Sequence, residues 1–275
     1  MTSTFKRNSF GKRFRSMLKV DTLRLLRSRA FYIILASCLV APILILVMTT
    51  MMDGTVSVDP QTGKETVIEG FDNVWQILGS VSEYNVKAPN EGMADMDMGL
   101  TTMCNINMLY FAISALVCIF VAEDFRSGYA KNLFTVRAKK TDYVASKTVV
   151  LTTGAALMIL AFTVGALIGG AVSGLPFAME GFGVGNLLLC ILAKMALVSV
   201  FVPIYLVMSV VAKQRLWLSI LLSMAVGMFL FMMIPMLTPL NATAIHVLLC
   251  VAGGVGFGVG LGAVSNLILK KTALV

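Results

Sequence analysis

AFYIILASCLVAPILILVMTTMM, residues 30 to 52, is a run of 23 residues without one charged side chain. A helix needs about 20 apolar residues to cross the roughly 30 Å hydrocarbon core of a bilayer, so this stretch reads as a membrane span. The run is too long for the apolar part of a cleaved signal peptide, and nine Lys and Arg stand in the 29 residues before it. It is therefore expected to remain in the mature protein.

Dividing the rest of the chain at its charges and turn formers yields five more spans, at about 99–122, 148–172, 186–212, 216–236 and 243–269. The last two come from one uncharged stretch, Leu216 to Leu269, broken at Pro235, Pro239 and Asn241. Composition agrees: 58% of residues are apolar, 13% charged, and mean hydropathy is +0.88. Soluble domains carry about 25% charged residues, so a water-soluble globule is excluded. The expected fold is an all-α membrane protein. Six transmembrane helices form one domain over residues 30–275, preceded by a basic amphipathic leader at 1–29, with an outer loop at 53–98 and a charged segment at 123–147.

Orientation follows from where the cations sit. Nineteen of the 22 Lys and Arg fall before span one, in 123–147, between spans four and five, and in the tail, whereas nine of the 14 acids lie in the 53–98 loop. Basic segments stay in the cytoplasm, so both termini are expected there. Five cysteines with no C-x-x-C pair, four of them inside apolar runs, indicate neither a disulfide framework nor a zinc site.

In the leader, Phe10, Phe14, Met17, Leu18 and Leu25 recur on one helical side, and Lys12, Arg15, Lys19 and Arg27 project from the other. This is the pattern of a helix in the membrane interface. Asp21 breaks the apolar stripe. Either the helix is a lipid anchor, or it packs on the protein's own spans and Asp21 meets a buried donor. In the outer loop Phe71, Val74, Trp75, Leu78 and Val81 follow helical spacing. Two readings stand here as well: a short helix over the outer mouth of a pathway, with Phe71, Trp75 and Leu78 as its gate, or an interfacial anchor at Trp75. Met93, Met96 and Met98 carry thioethers suited to Cu(I), but 19 methionines in the chain make such a run an expected coincidence.

Residues 123–147 hold six basic and three acidic side chains, with Gly128 as a helix stop. So long a charged connection, with the acid pair Glu123 and Asp124 at the span's end, is suited to docking a soluble partner and exceeds what topology alone requires. Lys194 is the one cation inside a span, about eight residues or ~12 Å from its start. An ammonium there costs roughly 2.5 to 3.5 kcal/mol, so it either snorkels to the outer surface or lines a polar pathway. Pro203 in the same span predicts a kink. Gly165 with Gly169, Gly170 with Gly174, and Gly254, Gly258 and Gly262 stand at four-residue spacing, a signature of close helix packing. No G-x-x-x-x-G-K-[ST] loop occurs, no catalytic constellation is present, and the single His246 reads as an interfacial side chain. The near absence of intramembrane acids disfavours an ion-driven carrier.

The order of basic helix, span, outer loop, span and cytoplasmic segment resembles the permease subunits of type 2 ATP-binding-cassette (ABC) transporters. The segment carries "acid, x4, Gly, x2, Lys" and "basic, x6, Lys" in Glu123, Gly128, Lys131, Lys140 and Lys147, and KVDTLRLLRSRAFYI from Lys19 to Ile33 is similar to that family's start. Tyr129 stands where the family often has Thr, and Asp21 where Glu is common. The resemblance implies a bacterial cytoplasmic-membrane exporter subunit that is not itself an enzyme and binds no cofactor or metal. ATP and Mg would sit on separate ABC ATPase subunits. Its other partners would be a second permease copy or paralogue and the lipid bilayer, with no nucleic acid. Glu123, Asp124, Arg126, Gly128, Lys131, Arg137 and Lys140 would couple to the ATPase, with the leader helix (Phe14, Leu18, Asp21) beside them and Lys194 and Pro203 near a pathway. The substrate class implied is amphiphilic, peptide-like, drug-like or lipid. A channel or carrier working without an ATPase, and a membrane scaffold or sensor that moves nothing, are the alternatives.

Overall fold

A computed structural model describes residues 10–58, 65–81, 104–135, 139–212, 215–231 and 233–271. Almost all of this is helix: α1 Phe10–Arg27, α2 Arg29–Met52, α3 Leu109–Arg126, α4 Tyr129–Thr135, α5 Lys140–Ser173, α6 Val184–Val211, α7 Leu216–Phe231, α8 Met233–Leu237 and α9 Ala244–Lys271. In the loop expected to face outward, β1 Val56–Val58 pairs antiparallel with β2 Glu65–Val67 in the register Val56 to Val67. The valine-rich alternation of these segments suits an extended pair better than a helix.

Among the described residues five helices, α2, α3, α5, α6 and α9, are long and apolar enough to cross a membrane. The stretch read as a fifth span is divided between α7, of 16 residues, and α8, of five, on either side of Met232, which lies outside the described residues. The start of the second span at Gly99 also lies outside them. The third helix is longer than its predicted span. α5 has 34 residues, about 51 Å at 1.5 Å each, so it exceeds the bilayer core and carries two charged turns, Lys140 to Lys147, beyond its uncharged run.

α5 is the central post. α1 and α2, separated by the single non-helical residue Ser28, pack along it, while α6 joins it to α9 and to the α3–α7 pair. Small residues set these approaches, as is usual where the bilayer supplies no hydrophobic drive between helices. A Cβ on Gly165 would lie 2.1 Å from the Leu39 carbonyl oxygen, and one on Gly169 2.9 Å from Ile43 Cα, so α2 touches α5 backbone to backbone. Gly254 likewise lies against Ser199 of α6. The other expected packing glycines differ. Gly170 receives Val74 of the loop that follows α2, Gly258 meets nothing within 4 Å, and Gly174 ends α5 with φ +74°.

Candidate coupling site

α3 runs out of its apolar stretch into Glu123, Asp124, Phe125 and Arg126. It stops because Ser127 caps it, donating N–H to the Glu123 carbonyl, and Gly128 adopts φ +71°, a left-handed conformation costly to any residue with a Cβ. The turn that follows, α4, is short and two-sided. Ala130 is buried, Tyr129, Leu133 and Phe134 are half-buried, and Lys131, Asn132 and Thr135 are exposed. Arg137 lies outside the described residues. α5 then begins at Lys140, so much of the segment read as a charged connection is helix.

Where α1, α3 and α5 meet, four charges are packed together. Lys147 Nζ lies 2.9 Å from Asp21 Oδ1 and 2.6 Å from Asp124 Oδ2, and all three side chains are fully buried. Arg24 of α1 donates to Asp124 Oδ1 at 2.5 Å. Tyr143 donates its phenolic hydroxyl to Asp124 Oδ2 at 2.8 Å, and Ser146 donates to Asp21 Oδ2 at 2.6 Å. Two carboxylates and two cations balance, which is the condition for keeping ions out of water. Aromatic rings close the cage: Lys147 Nζ stands 4.1 Å from the Phe120 ring centre, and the Arg24 guanidinium 3.9 Å from that of Tyr129. Burial works against the Arg24 charge, yet the neighbouring Asp124 outweighs it and holds the group above the usual arginine range. Burial pushes the Tyr129 phenol upward, so it remains neutral.

A second pair extends the contact, with Arg13 Nε donating to buried Asp142 at 2.8 Å. Lys140 donates to the carbonyl of Leu269 near the end of α9, a favourable place for a cation because helix C-termini carry partial negative charge. Phe134 of α4 meets the Tyr143 ring edge-on at 5.3 Å. α4 is thereby fastened to α1 through Tyr129 and Arg24, and to α5 through Phe134 and Tyr143.

The expected coupling residues thus separate. Glu123, Arg126 and Lys131 are exposed, and the first two line a hollow of about 420 Å³ with Leu216. Asp124 is buried and presents nothing to a soluble partner; it holds the junction from inside. Gly128 shapes the turn, and Lys140 ties it to α9. In α1, Asp21 is buried, Leu18 is half-buried against the core, and Phe14 is half-buried and stacked on Phe10. Sequence reading left Arg24, Tyr143 and Ser146 unassigned, and it held Lys147 only as a motif position.

Two expected sites lie at the other end. Phe71, Trp75 and Leu78 are buried around a 3-10 turn at Val74–Leu78, whose start Asn73 caps by accepting from the Trp75 and Gln76 amides. Trp75 meets Phe177 edge-on at 5.7 Å and does not reach the surface as an anchor would. Lys194 in α6 is fully buried, its Nζ donating to Thr238 Oγ1 at 2.9 Å and Asn107 Oδ1 at 3.3 Å. Asn107 and nearby Gly79 form part of the wall of a cavity of about 540 Å³ that also includes Glu69, Asp72, Gln76 and Glu180. Pro203 is accommodated within an unbroken α6. His246 Nδ1 accepts the Thr243 amide at the start of α9. Met93, Met96 and Met98 lie outside the described residues, and among the described residues no group of His, Cys, Asp or Glu is placed to hold a metal.

The model of the ABC-2 family transporter proteins matches residues 17–232, from inside α1 to the end of α7. The chain belongs to the ABC-2 transporter family. It is accordingly an ABC transporter permease, a multi-pass membrane component that is not itself catalytic and that pairs with an ABC ATPase. The match takes in every residue of the charged junction except Arg13. No curated protein and no solved structure matches this ABC-2 chain.

Proposed function

We propose that this permease is one half of a bacterial exporter, embedded in the cytoplasmic membrane with both termini inside the cell. In this reading α7 and α8 together make the fifth of six crossings, and a second copy or a paralogue supplies the other half. An amphiphilic, peptide-like, drug-like or lipid substrate moves outward by alternating access. ATP and Mg bind to separate subunits that dock beneath α4 on the exposed side chains Glu123, Arg126 and Lys131.

The observation that supports this is the buried, charge-balanced junction of Asp21, Arg24, Asp124 and Lys147 directly above an exposed short helix. A push on α4 reaches α1 through the Arg24–Tyr129 stack and α5 through the Phe134–Tyr143 contact. Since α1 leads into α2 across one residue, three helices shift together. Close-packed interiors pass displacement on rather than absorbing it.

Charge reversal at both exposed positions, Glu123→Lys with Lys131→Glu, tests the docking face without disturbing the buried cluster. The reconstituted complex of permease and ATPase is expected to hydrolyse ATP while losing most substrate-dependent stimulation and transport. Unchanged coupling ratios at normal expression would defeat the assignment of this face. A cysteine at Asn132 should react with an impermeant reagent only after cells are opened.

A further inference from the structure

α1 has a second face, turned away from α5. Lys12, Arg15 and Lys19, at spacings of three and four, are exposed on it, with Arg27 further along. Val20, Leu23 and Leu26 are 42%, 44% and 45% exposed between these cations. Lys12, Arg15, Ser16, Lys19 and Leu23 enclose a shallow groove of about 620 Å³ whose lining contains no carboxylate.

The depth of this face can be placed. In α5 the 26 residues from Thr148 to Ser173 carry no charge, so the hydrocarbon boundary falls near Lys147, and Asp21 of α1 is bonded to Lys147 and Ser146 at that level. Lys19, Arg15 and Lys12 precede Asp21 by two, six and nine residues, about 3 to 14 Å along the helix. That is the headgroup layer and its aqueous edge. Cations at phosphate depth, with leucine and valine beside them, have the chemistry of a surface that seats on acidic lipid.

We propose that this face of α1 is a binding surface for the headgroups of anionic phospholipids. The proposal rests on the placement given under Proposed function only for which leaflet supplies them. Each basic residue near an acidic membrane surface contributes a factor of about five in binding, and the attraction between exposed charges is screened by salt.

The test uses the full chain purified from mixed micelles of phosphatidylglycerol and phosphatidylcholine, with retained lipid quantified. Wild type is expected to retain phosphatidylglycerol in several-fold preference at low salt and to lose much of it at 0.5 M NaCl. Lys12→Gln with Arg15→Gln and Lys19→Gln should reduce the preference at least about fivefold with an unchanged melting temperature, while Lys12→Arg with Lys19→Arg retains it. Equal preference in wild type and the triple glutamine variant overturns the proposal, as does a triple variant that keeps its lipid and instead loses ATPase binding. Because retention is measured without the ATPase, failure of transport coupling leaves this result untouched. A cysteine at Ser16, probed with an impermeant reagent, reports the side of the membrane separately.

Discussion

Among the described residues two lysines are fully buried, and the protein treats them differently. Lys147, at the charged end of α5, sits between two carboxylates and within a cage of aromatic rings. Lys194, in the first half of α6, meets a hydroxyl and an amide oxygen, with no carboxylate bonded to it among the described residues. The first belongs to a neutral group of four charges in which each member is costly to remove. The second is a single ammonium held by neutral dipoles, beside a wall of the cavity bordered by Asn107 and Gly79. One arrangement locks helices together and the other tolerates change.

The largest effect is therefore expected from Lys147→Met, which leaves Asp21 and Asp124 facing each other with only Arg24 to compensate. Breaking a buried ion pair from one side costs about 3 to 5 kcal/mol, and thermal unfolding in detergent should register it as a marked loss of stability. A melting curve close to wild type would show that the cluster is not a structural lock. Asp21→Asn comes next, because Lys147 keeps Asp124 and Ser146 can still donate to the new amide oxygen. The loss should be about 1.5 to 3 kcal/mol, the range for a hydrogen bond to a charged group. Combining Asp21→Asn with Lys147→Met measures the pair directly: the two changes should cost less together than their sum, since the neutral double variant no longer strands a carboxylate beside Asp124.

How far this contrast is readable in the sequence depends on where each partner lies. Asp21 is visible as the acid in an apolar stripe, and that alone calls for a buried donor. The donors stand 125 and 126 positions away, and no local pattern points to them. Glu123 and Asp124 read alike as an acid pair at the end of a span, yet one is exposed and the other buried, because neighbours along a helix point in directions about 100° apart. The spans themselves are legible from hydropathy, since the bilayer imposes a length on every apolar run. The division into α7 and α8 and the 3-10 form of Val74–Leu78 are not, since both depend on contacts made after folding. For Lys194 the depth is countable, but its partners Thr238 and Asn107 are ordinary polar residues near helix ends that nothing in the sequence marks out.

Lys194→Met should have the smallest effect. Methionine follows the path of the lysine stem and removes a buried charge whose cost in a helix interior is roughly 2.5 to 3.5 kcal/mol, while two acceptors lose a donor. Thr238 still donates its hydroxyl to the Ile234 carbonyl, so it is left with only an unused lone pair. Asn107 borders the same cavity, where water can replace the ammonium. Gain and loss nearly offset, and stability should move by no more than about 1 kcal/mol in either direction. The same variant addresses function: full transport at normal expression would remove Lys194 from any substrate path. Loss of transport without loss of stability would place the ammonium on that path and make the adjoining cavity part of it.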